Sequence, residues 1–442
     1  MQNSNTAISK EGELSEQPER KTQRWLVFDF VRAIGIMMII FIHGTVYHYG
    51  LLTTIDIENM NAFFMVMYVI LNWAGLFALI SAVVNTYSSY LRLEKNFKNE
   101  VKYPAWKAFG RRWCFLGVFY LLLNFIYTYL VSPLNMDFET HEISHSLLAG
   151  VIRTGQFYQV SPEKMLQGSV FSMIGWNLII MGLVFSLIFR KAEKYKTKNR
   201  RILVLILGII IVLVSFVRIY LYDDFENAIQ DGNYFVAYLI DIIAGNYFPI
   251  LPYLGFGFIG AYFGMILADN PTKKRIGRLI WIGVGWLLAA VIAFLIPDSI
   301  YEYLGLLDDI FYDYIIVMFE IGFFIVLGSI LMMVKFDKRV ERSDFSVKDK
   351  KKFSTIFLRF SRNSLTFFLL ERPISELVAL ILNLLIPGWN NYVWTSILFG
   401  LFMLLFWFLI AFLWNMVDFK GSFEWLLSKM FKITKYQTDK KY

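Results

Sequence analysis

The sequence predicts an all-α polytopic membrane protein, and three observations support this fold class. Hydrophobic residues make up 57% of the 442 residues and charged residues only 18%, and the mean hydropathy is +0.52. Long apolar runs recur along the chain, and cationic residues gather between alternate runs. A soluble globular domain is less apolar and has about 25% charged residues, so that class is excluded.

Ten apolar runs are long enough to span the membrane, since a helix needs about 20 residues to cross roughly 30 Å of hydrocarbon. In chain order they are 25–46, 63–84, 113–131, 169–189, 202–222, 249–268, 279–296, 311–334, 364–386 and 393–415. Pro249 and Pro252 predict an irregular start to the sixth span, because proline lacks a backbone N–H. We therefore expect about ten transmembrane helices.

The distribution of cationic residues predicts the orientation of these helices. All but five of the 43 Lys and Arg residues lie in the N-terminal tail, in the loops 92–112, 190–201, 273–278 and 335–362, or in the C-terminal tail. Loops on the cytoplasmic side are enriched in Lys and Arg. The pattern predicts that both termini are cytoplasmic, and it accounts for the net charge of +8 without a nucleic-acid partner.

The apolar runs and the cation distribution divide the chain into three regions. Residues 1–23 are polar and predict a disordered cytosolic tail, residues 24–416 form one membrane domain, and residues 417–442 form a cytosolic amphipathic tail. Within that tail, residues 423–432 would lie along the inner membrane surface, in contact with lipids. The single cysteine, Cys114, excludes an internal disulfide and a cysteine-based metal cluster, and we expect no bound metal.

The first span carries ionisable residues on one face. His43 follows Arg32 by eleven residues, which on a helix returns to within about 20° of the same direction after about 16 Å. Asp29 precedes Arg32 by three residues and joins this face. Charged groups at membrane depth are costly and mark functional sites, so we expect Arg32 and His43 to face a common polar cavity. There the imidazole could act as a base, the guanidinium could hold an anionic or carbonyl-bearing donor, and Asp29 would orient the arginine.

Several segments resemble the transmembrane acyltransferase superfamily, which contains the acyltransferase-3 enzymes and the heparan-alpha-glucosaminide N-acetyltransferase-like proteins. The first helix of that superfamily has an arginine, an aspartate, a second arginine and then a histidine. The matching residues here are Arg24, Asp29, Arg32 and His43, followed in order by Leu76–Ala82, Gly110–Arg112, Leu251–Gly255, Gly260–Gly264, Arg362–Thr366 and Gly421–Trp425. Ala33 and Ala82 stand where the family usually has glycine.

The resemblance implies a membrane acyltransferase that transfers groups other than aminoacyl groups. The acyl group would come from cytosolic acyl-CoA, used as a substrate rather than a tightly bound cofactor. The acceptor would be a hydroxyl or amine of an envelope glycan or lipid-linked sugar, which places the protein in the plasma membrane. The residues expected at the site are His43, Arg32 and Asp29 for catalysis, and Lys107, Arg111, Arg112, Glu371 and Arg372 for the donor and substrate.

Simpler roles remain open for these residues. The loop cations also fit ordinary positive-inside bias. Glu371, in the ninth span, is expected either to pair with Arg32 or Arg372 or to line the acyl path. A transporter or flippase with the same cavity and no chemistry is the main alternative function.

A second alternative is a membrane zinc peptidase. His141-Glu142-Ile143-Ser144-His145 matches the H-E-x-x-H pattern, in which two histidines one helical turn apart bind zinc and the glutamate acts as the base. The match falls in a polar outward loop, and a third zinc ligand is required. We therefore favour a solvated loop helix for this segment.

Overall fold

The computed structural model describes residues 23–24, 26–50, 74–132, 146–157, 166, 168–191, 198–245, 248–269, 272–296, 309–334, 340–341 and 354–430. These residues are overwhelmingly helical. Their only strands are β1 (Gln23–Arg24) and β2 (Val340–Glu341), which pair antiparallel with Gln23 opposite Glu341. The predicted all-α class is confirmed for this part of the chain.

The helices follow one another in this order: α1 (Leu26–Val46), α2 (Ala74–Lys98), α3 (Trp106–Val131), α4 (Ala149–Thr154), α5 (Val170–Ile188), α6 (Lys198–Val214), α7 (Arg218–Gln230), α8 (Tyr234–Ala244), α9 (Ile250–Ala268), α10 (Lys273–Leu295), α11 (Asp309–Val334), α12 (Ser354–Arg362), α13 (Ser364–Leu385), α14 (Val393–Met416) and α15 (423–430). The two ends of α3 are π-helical, over Trp106–Gly110 and Tyr127–Val131. A 3₁₀ turn, Ser215–Val217, joins α6 to α7.

Eight helical stretches of the described residues are long and apolar enough to cross a membrane: Val27–Val46, Trp106–Val131, Val170–Ile188, Asn199–Gln230, Ile250–Ala268, Lys273–Leu295, Tyr314–Val334 and Val393–Met416. They correspond to eight of the ten predicted spans. Half of the predicted second span, residues 63–73, lies outside the described residues, and the other half is the beginning of α2. The predicted ninth span is the continuous helix α13, which carries Glu371, Arg372 and Glu376 and is not among the eight.

Helix α9 is the centre of one packing group and contacts α2, α5 and α6. A Cβ on Gly260 or Gly264 would lie 2.7 Å from the Leu79 carbonyl oxygen or 2.6 Å from that of Val83. Only glycine therefore permits this close approach of α9 to α2. As predicted, α9 begins irregularly, with Leu251 at φ −93° and ψ 123°.

Helix α1 is the centre of a second packing group, in which it contacts α12, α13 and α14. Their buried aromatic rings include Phe360, Phe367 and Trp407. Helices α3 and α5, which pack along each other, lie between the two groups, and their residues contribute to both apolar cores. His43 of α1 contacts Glu371 of α13, and Arg32 of α1 lines a cavity with residues of α3 and α5.

Two predicted loops differ from the structure. The cationic stretch 92–112 is mostly helical, because α2 extends to Lys98 and α3 begins at Trp106. The outward stretch 223–248 contains the end of α7 and all of α8. Both contain amphipathic helices, whose polar faces make their sequences resemble loops.

Candidate active site

His43 and Glu371 form a buried pair between α1 and α13. His43 lies in the last turn of α1, with its Nδ1 atom 2.5 Å from Oε1 of Glu371. The residues are 9% and 1% exposed. A carboxylate is an acceptor, so Nδ1 donates the hydrogen and Nε2 keeps its lone pair. The pair therefore provides an oriented imidazole that can accept a proton at Nε2.

Arg372 lies directly beside this pair. It is 4% exposed, its Nε atom is 3.3 Å from Oε1 of Glu371, and its guanidinium lies 3.7 Å from the ring centroid of Tyr47. Its Nη1 atom has no hydrogen-bond partner among the described residues. A buried donor without a partner costs free energy unless a ligand accepts its hydrogen bond. The site thus offers a cationic hydrogen-bond donor next to the imidazole.

A second ion-pair cluster lies one turn further along α13. Arg153 of α4 donates to both carboxylate oxygens of Glu376, at 2.8 and 2.6 Å, and to the Tyr47 carbonyl oxygen at 3.1 Å. His48 places Nε2 3.7 Å from Oε1 of Glu376. Burial and the Arg153 cation hold the pKa of His48 well below its usual range, so its ring is neutral. This cluster fixes the end of α1 against α13.

A cavity of about 290 Å³ begins on the Arg32 side of the His43–Glu371 pair. We call it the arginine cavity, because Arg32 from α1 and Arg112 from α3 both line it. Arg112 also donates to the Ser88 hydroxyl at 3.4 Å. The rest of its lining is largely apolar, with Tyr120, Ser81 and Asn85 among the polar exceptions. The cavity can therefore accept a ligand with an anionic end and an apolar remainder.

The described lining of the arginine cavity does not include His43. Phe368 and Phe171 line the cavity and pack together with centroids 4.9 Å apart. On its other side, Phe368 contacts the rings of His43 at 6.4 Å and Tyr127 at 5.2 Å. These aromatic rings separate the cavity from the imidazole.

Helix α15 forms one wall of the arginine cavity through Leu427. Glu424 anchors it, because its carboxylate accepts hydrogen bonds from the Leu365 backbone N–H at 2.7 Å and from the Thr366 hydroxyl at 2.5 Å. N–H groups in the first turn of a helix have no intrahelical partner, so Glu424 satisfies the start of α13. Burial raises the pKa of Glu424 above its usual value.

The other predicted site residues lie apart from the His43–Glu371 pair. Asp29 is buried and accepts a hydrogen bond from the Ser361 hydroxyl of α12 at 3.1 Å. Lys107 and Arg111 lie in α3 close to Arg112, yet neither lines the arginine cavity as described. The structure therefore brings together His43, Glu371 and Arg372, and separately Arg32 and Arg112.

The H-E-x-x-H segment, 141–145, lies outside the described residues, as does Glu163. Across the described ranges no group of three or more His, Cys, Asp or Glu side chains could hold a metal ion.

Comparison with known families decides how this site is interpreted. The sequence model of the acyltransferase-3 family, described as an acyltransferase domain, matches residues 25–413. This chain belongs to the acyltransferase-3 family. No curated protein and no solved structure matches it. The family resemblance seen in the sequence is confirmed, and it supports membrane acyltransferase activity.

In an acyltransferase, the three features of the site have distinct chemical uses. The imidazole of His43 can remove a proton from an acceptor, Glu371 holds its tautomer, and Arg372 can stabilise developing negative charge. The arginine cavity can hold an anionic acyl carrier, since guanidinium groups pair well with phosphate. Phe368 lines the arginine cavity and also contacts the imidazole, so a carrier bound in the cavity would lie next to the base.

Sequence reasoning missed Arg153, Tyr47 and Phe368 in this acyltransferase. Arg153 carried one signal, because it is one of two cations in loops otherwise free of Lys and Arg. A cation placed against the positive-inside rule indicates a fixed partner, and that partner is Glu376. Phe368 gave no signal, since aromatic residues are common in apolar spans, and Tyr47 gave none because it lies just after the first span and a tyrosine is not ionised at neutral pH.

Proposed function

We propose that the protein transfers an acyl group from cytosolic acyl-CoA to a hydroxyl or amine of an envelope glycan or a lipid-linked sugar. The observation that supports this most directly is the buried His43–Glu371 hydrogen bond beside Arg372. A transporter has no need for an imidazole whose tautomer is fixed by a buried carboxylate. The cationic loops support a plasma-membrane orientation with both termini in the cytoplasm.

The transfer step uses the three residues in sequence. Nε2 of His43 takes the proton of the acceptor O–H or N–H group while the acceptor atom bonds to the thioester carbonyl carbon. The carbonyl oxygen becomes an oxyanion, to which Nη1 of Arg372 donates a hydrogen bond. The intermediate then expels the CoA thiolate, and that thiolate recovers the proton from the His43 imidazolium.

The donor is proposed to bind in the arginine cavity. Arg32 and Arg112 would pair with the phosphates of CoA, and the apolar lining would contact the pantetheine arm or the acyl chain. To reach His43, the thioester must pass the ring of Phe368, which touches both the cavity and the imidazole. A change of the Phe368 rotamer would open this path.

The test is label transfer by the purified full chain. Radiolabelled acetyl-CoA is incubated with envelope extract and the wild-type protein, the His43→Ala variant, or the control Asp224→Ala, which alters an exposed side chain of α7. We expect wild type and control to label a glycan or lipid-linked sugar fraction, and His43→Ala to bind acetyl-CoA without transfer. Absence of label transfer by folded wild type would overturn the proposal in favour of transport.

A further inference from the structure

A second cavity, of about 160 Å³, lies on the other side of the α3–α5 pair from the arginine cavity. We call it the Asp241 cavity. Helix α3 contributes Asn124, α5 contributes Ser172 and Trp176, and α8 contributes Tyr238 and Asp241. The neighbouring residues Tyr120 of α3 and Phe171 of α5 line the arginine cavity instead. The two helices therefore form a wall between two separate cavities.

Asp241 is the unusual residue of this cavity. It is only 6% exposed, and its Oδ1 atom has no hydrogen-bond partner among the described residues. A Cβ on Gly245 would lie 1.9 Å from this oxygen. Any residue larger than glycine at position 245 would therefore clash with the Asp241 carboxyl. A buried polar atom without a partner costs free energy, and its presence calls for an explanation.

The surroundings of Asp241 favour a neutral ligand. Burial raises its pKa to about 8, although the Arg218 cation opposes this shift. Arg218 is itself engaged, donating to the carbonyl oxygens of Ala244 and Gly245 at 3.1 and 2.7 Å. At neutral pH the Asp241 carboxyl is therefore mostly protonated and can both donate and accept a hydrogen bond. A hydroxyl group, which also does both, is its matching partner.

Two further groups of the cavity suit a ligand rich in hydroxyls. Asn124, which lines the cavity, uses its carbonyl oxygen to accept from the Ser169 hydroxyl at 2.6 Å, and its amide nitrogen is a hydrogen-bond donor. Trp176 and Tyr238 also bring aromatic surface to the lining. Small-molecule sites combine aromatic surface with a few such polar groups.

We propose that the Asp241 cavity binds a neutral sugar ring of the acceptor, at a subsite that the α3–α5 pair separates from the arginine cavity. This proposal rests on the proposed function, because it specifies how a glycan or lipid-linked sugar is held. The carboxyl of Asp241 and the amide of Asn124 hydrogen-bond the sugar hydroxyls, and Trp176 packs against the ring.

The sugar has two possible sources, a soluble oligosaccharide and a sugar on a lipid carrier. Phe125 lines the Asp241 cavity and is 58% exposed, so the cavity reaches the outer surface of the helix bundle. A lipid-linked sugar could enter there from the bilayer, whereas a soluble oligosaccharide would enter from water. The chemistry that recognises the sugar is the same for both.

The experiment measures sugar binding by the full chain in lipid nanodiscs. Equilibrium dialysis with radiolabelled maltotriose and chitotriose tests the soluble source, and nanodiscs loaded with the same trisaccharides on a polyprenyl carrier test the lipid source. Saturable binding of at least one probe is expected. Asp241→Leu should weaken it at least tenfold, whereas Asp241→Asn, which keeps a donor and an acceptor, should stay within about threefold.

The controls separate this proposal from the proposed function. Asp231→Leu, the same change at an exposed position after α7, should leave binding unaltered, and His43→Ala should abolish acyl transfer and keep sugar binding. If Asp241→Leu fails to fold, Trp176→Ala provides the same test. Label transfer by wild type with no sugar binding, or with binding unaffected by Asp241→Leu, would overturn the sugar subsite. Sugar binding without transfer would instead overturn the proposed function.

Discussion

Replacing Glu371 with glutamine removes the charge from the buried His43–Glu371 pair and preserves its shape. The 2.5 Å separation of Nδ1 and Oε1 and the burial of both side chains identify a charge-assisted hydrogen bond, worth about 1.5–3 kcal/mol. Because about 1.36 kcal/mol corresponds to a factor of ten in rate, Glu371→Gln should lower kcat/KM by about 10- to 150-fold. His43→Ala removes the base itself and should cost about 10²- to 10⁴-fold.

The assay follows release of the CoA thiol in the presence of the acceptor fraction, with the thiol detected by a reactive dye. Glu371 acts through His43, so the double variant should be no slower than His43→Ala alone. The KM for acyl-CoA should stay within about threefold in Glu371→Gln, since this variant leaves the arginine cavity intact. Glu100→Gln, at an exposed position between α2 and α3, is the matched control. Full activity in Glu371→Gln, or additive losses in the double variant, would refute the assigned roles.

Three further predictions test other parts of the structure. Arg112→Ala should raise the KM for acyl-CoA by about 10- to 150-fold with little change in kcat, as expected from loss of one charged hydrogen bond, and steady-state kinetics would measure this. Arg153→Ala should lower the thermal unfolding temperature, because it leaves Glu376 buried without its bidentate partner. The double variant Arg153→Ala/Glu376→Leu should recover most of this loss. A double variant that is no more stable than Arg153→Ala would contradict this explanation. Since the folded pKa of Asp241 is raised to about 8, wild type should lose stability relative to Asp241→Asn as the pH rises from about 4 to 8 and no further above 8, which unfolding scans at pH 5.5, 7 and 8.5 would show.

The fold class was predictable because hydropathy and cation placement depend on the membrane itself rather than on contacts between helices. The same reasoning found His43 and Arg32, since ionisable residues in an apolar span are conspicuous. That Arg32 and His43 share one hollow stays a prediction, since Phe368 of α13 both lines the arginine cavity and packs against the imidazole. Which aromatic ring lies beside the imidazole depends on how the helices pack, and the periodicity of one helix carries no information about that packing.

The partners of the ionisable residues were the least predictable part of the site. Glu371 was expected beside Arg32 or Arg372, and it bonds His43 while also contacting Arg372. Asp29 was expected to orient Arg32, and it bonds Ser361 of α12. The pairs His43–Glu371 and Asp29–Ser361 are each separated by more than 300 positions in the chain. Such pairings are set by the docking of α12 and α13 on α1, which a single sequence does not encode in any local pattern.

The attachment of α15 to the start of α13 has a consequence for biosynthesis. Glu424 and Leu427 are translated after the membrane-spanning helices that the structure describes, and Leu427 lines a wall of the arginine cavity. A nascent chain that has inserted all its helices but still holds these residues in the ribosome therefore lacks that wall. Competence to bind the acyl carrier should arise only after translation has passed this point, which keeps half-made molecules in the membrane from consuming thioester.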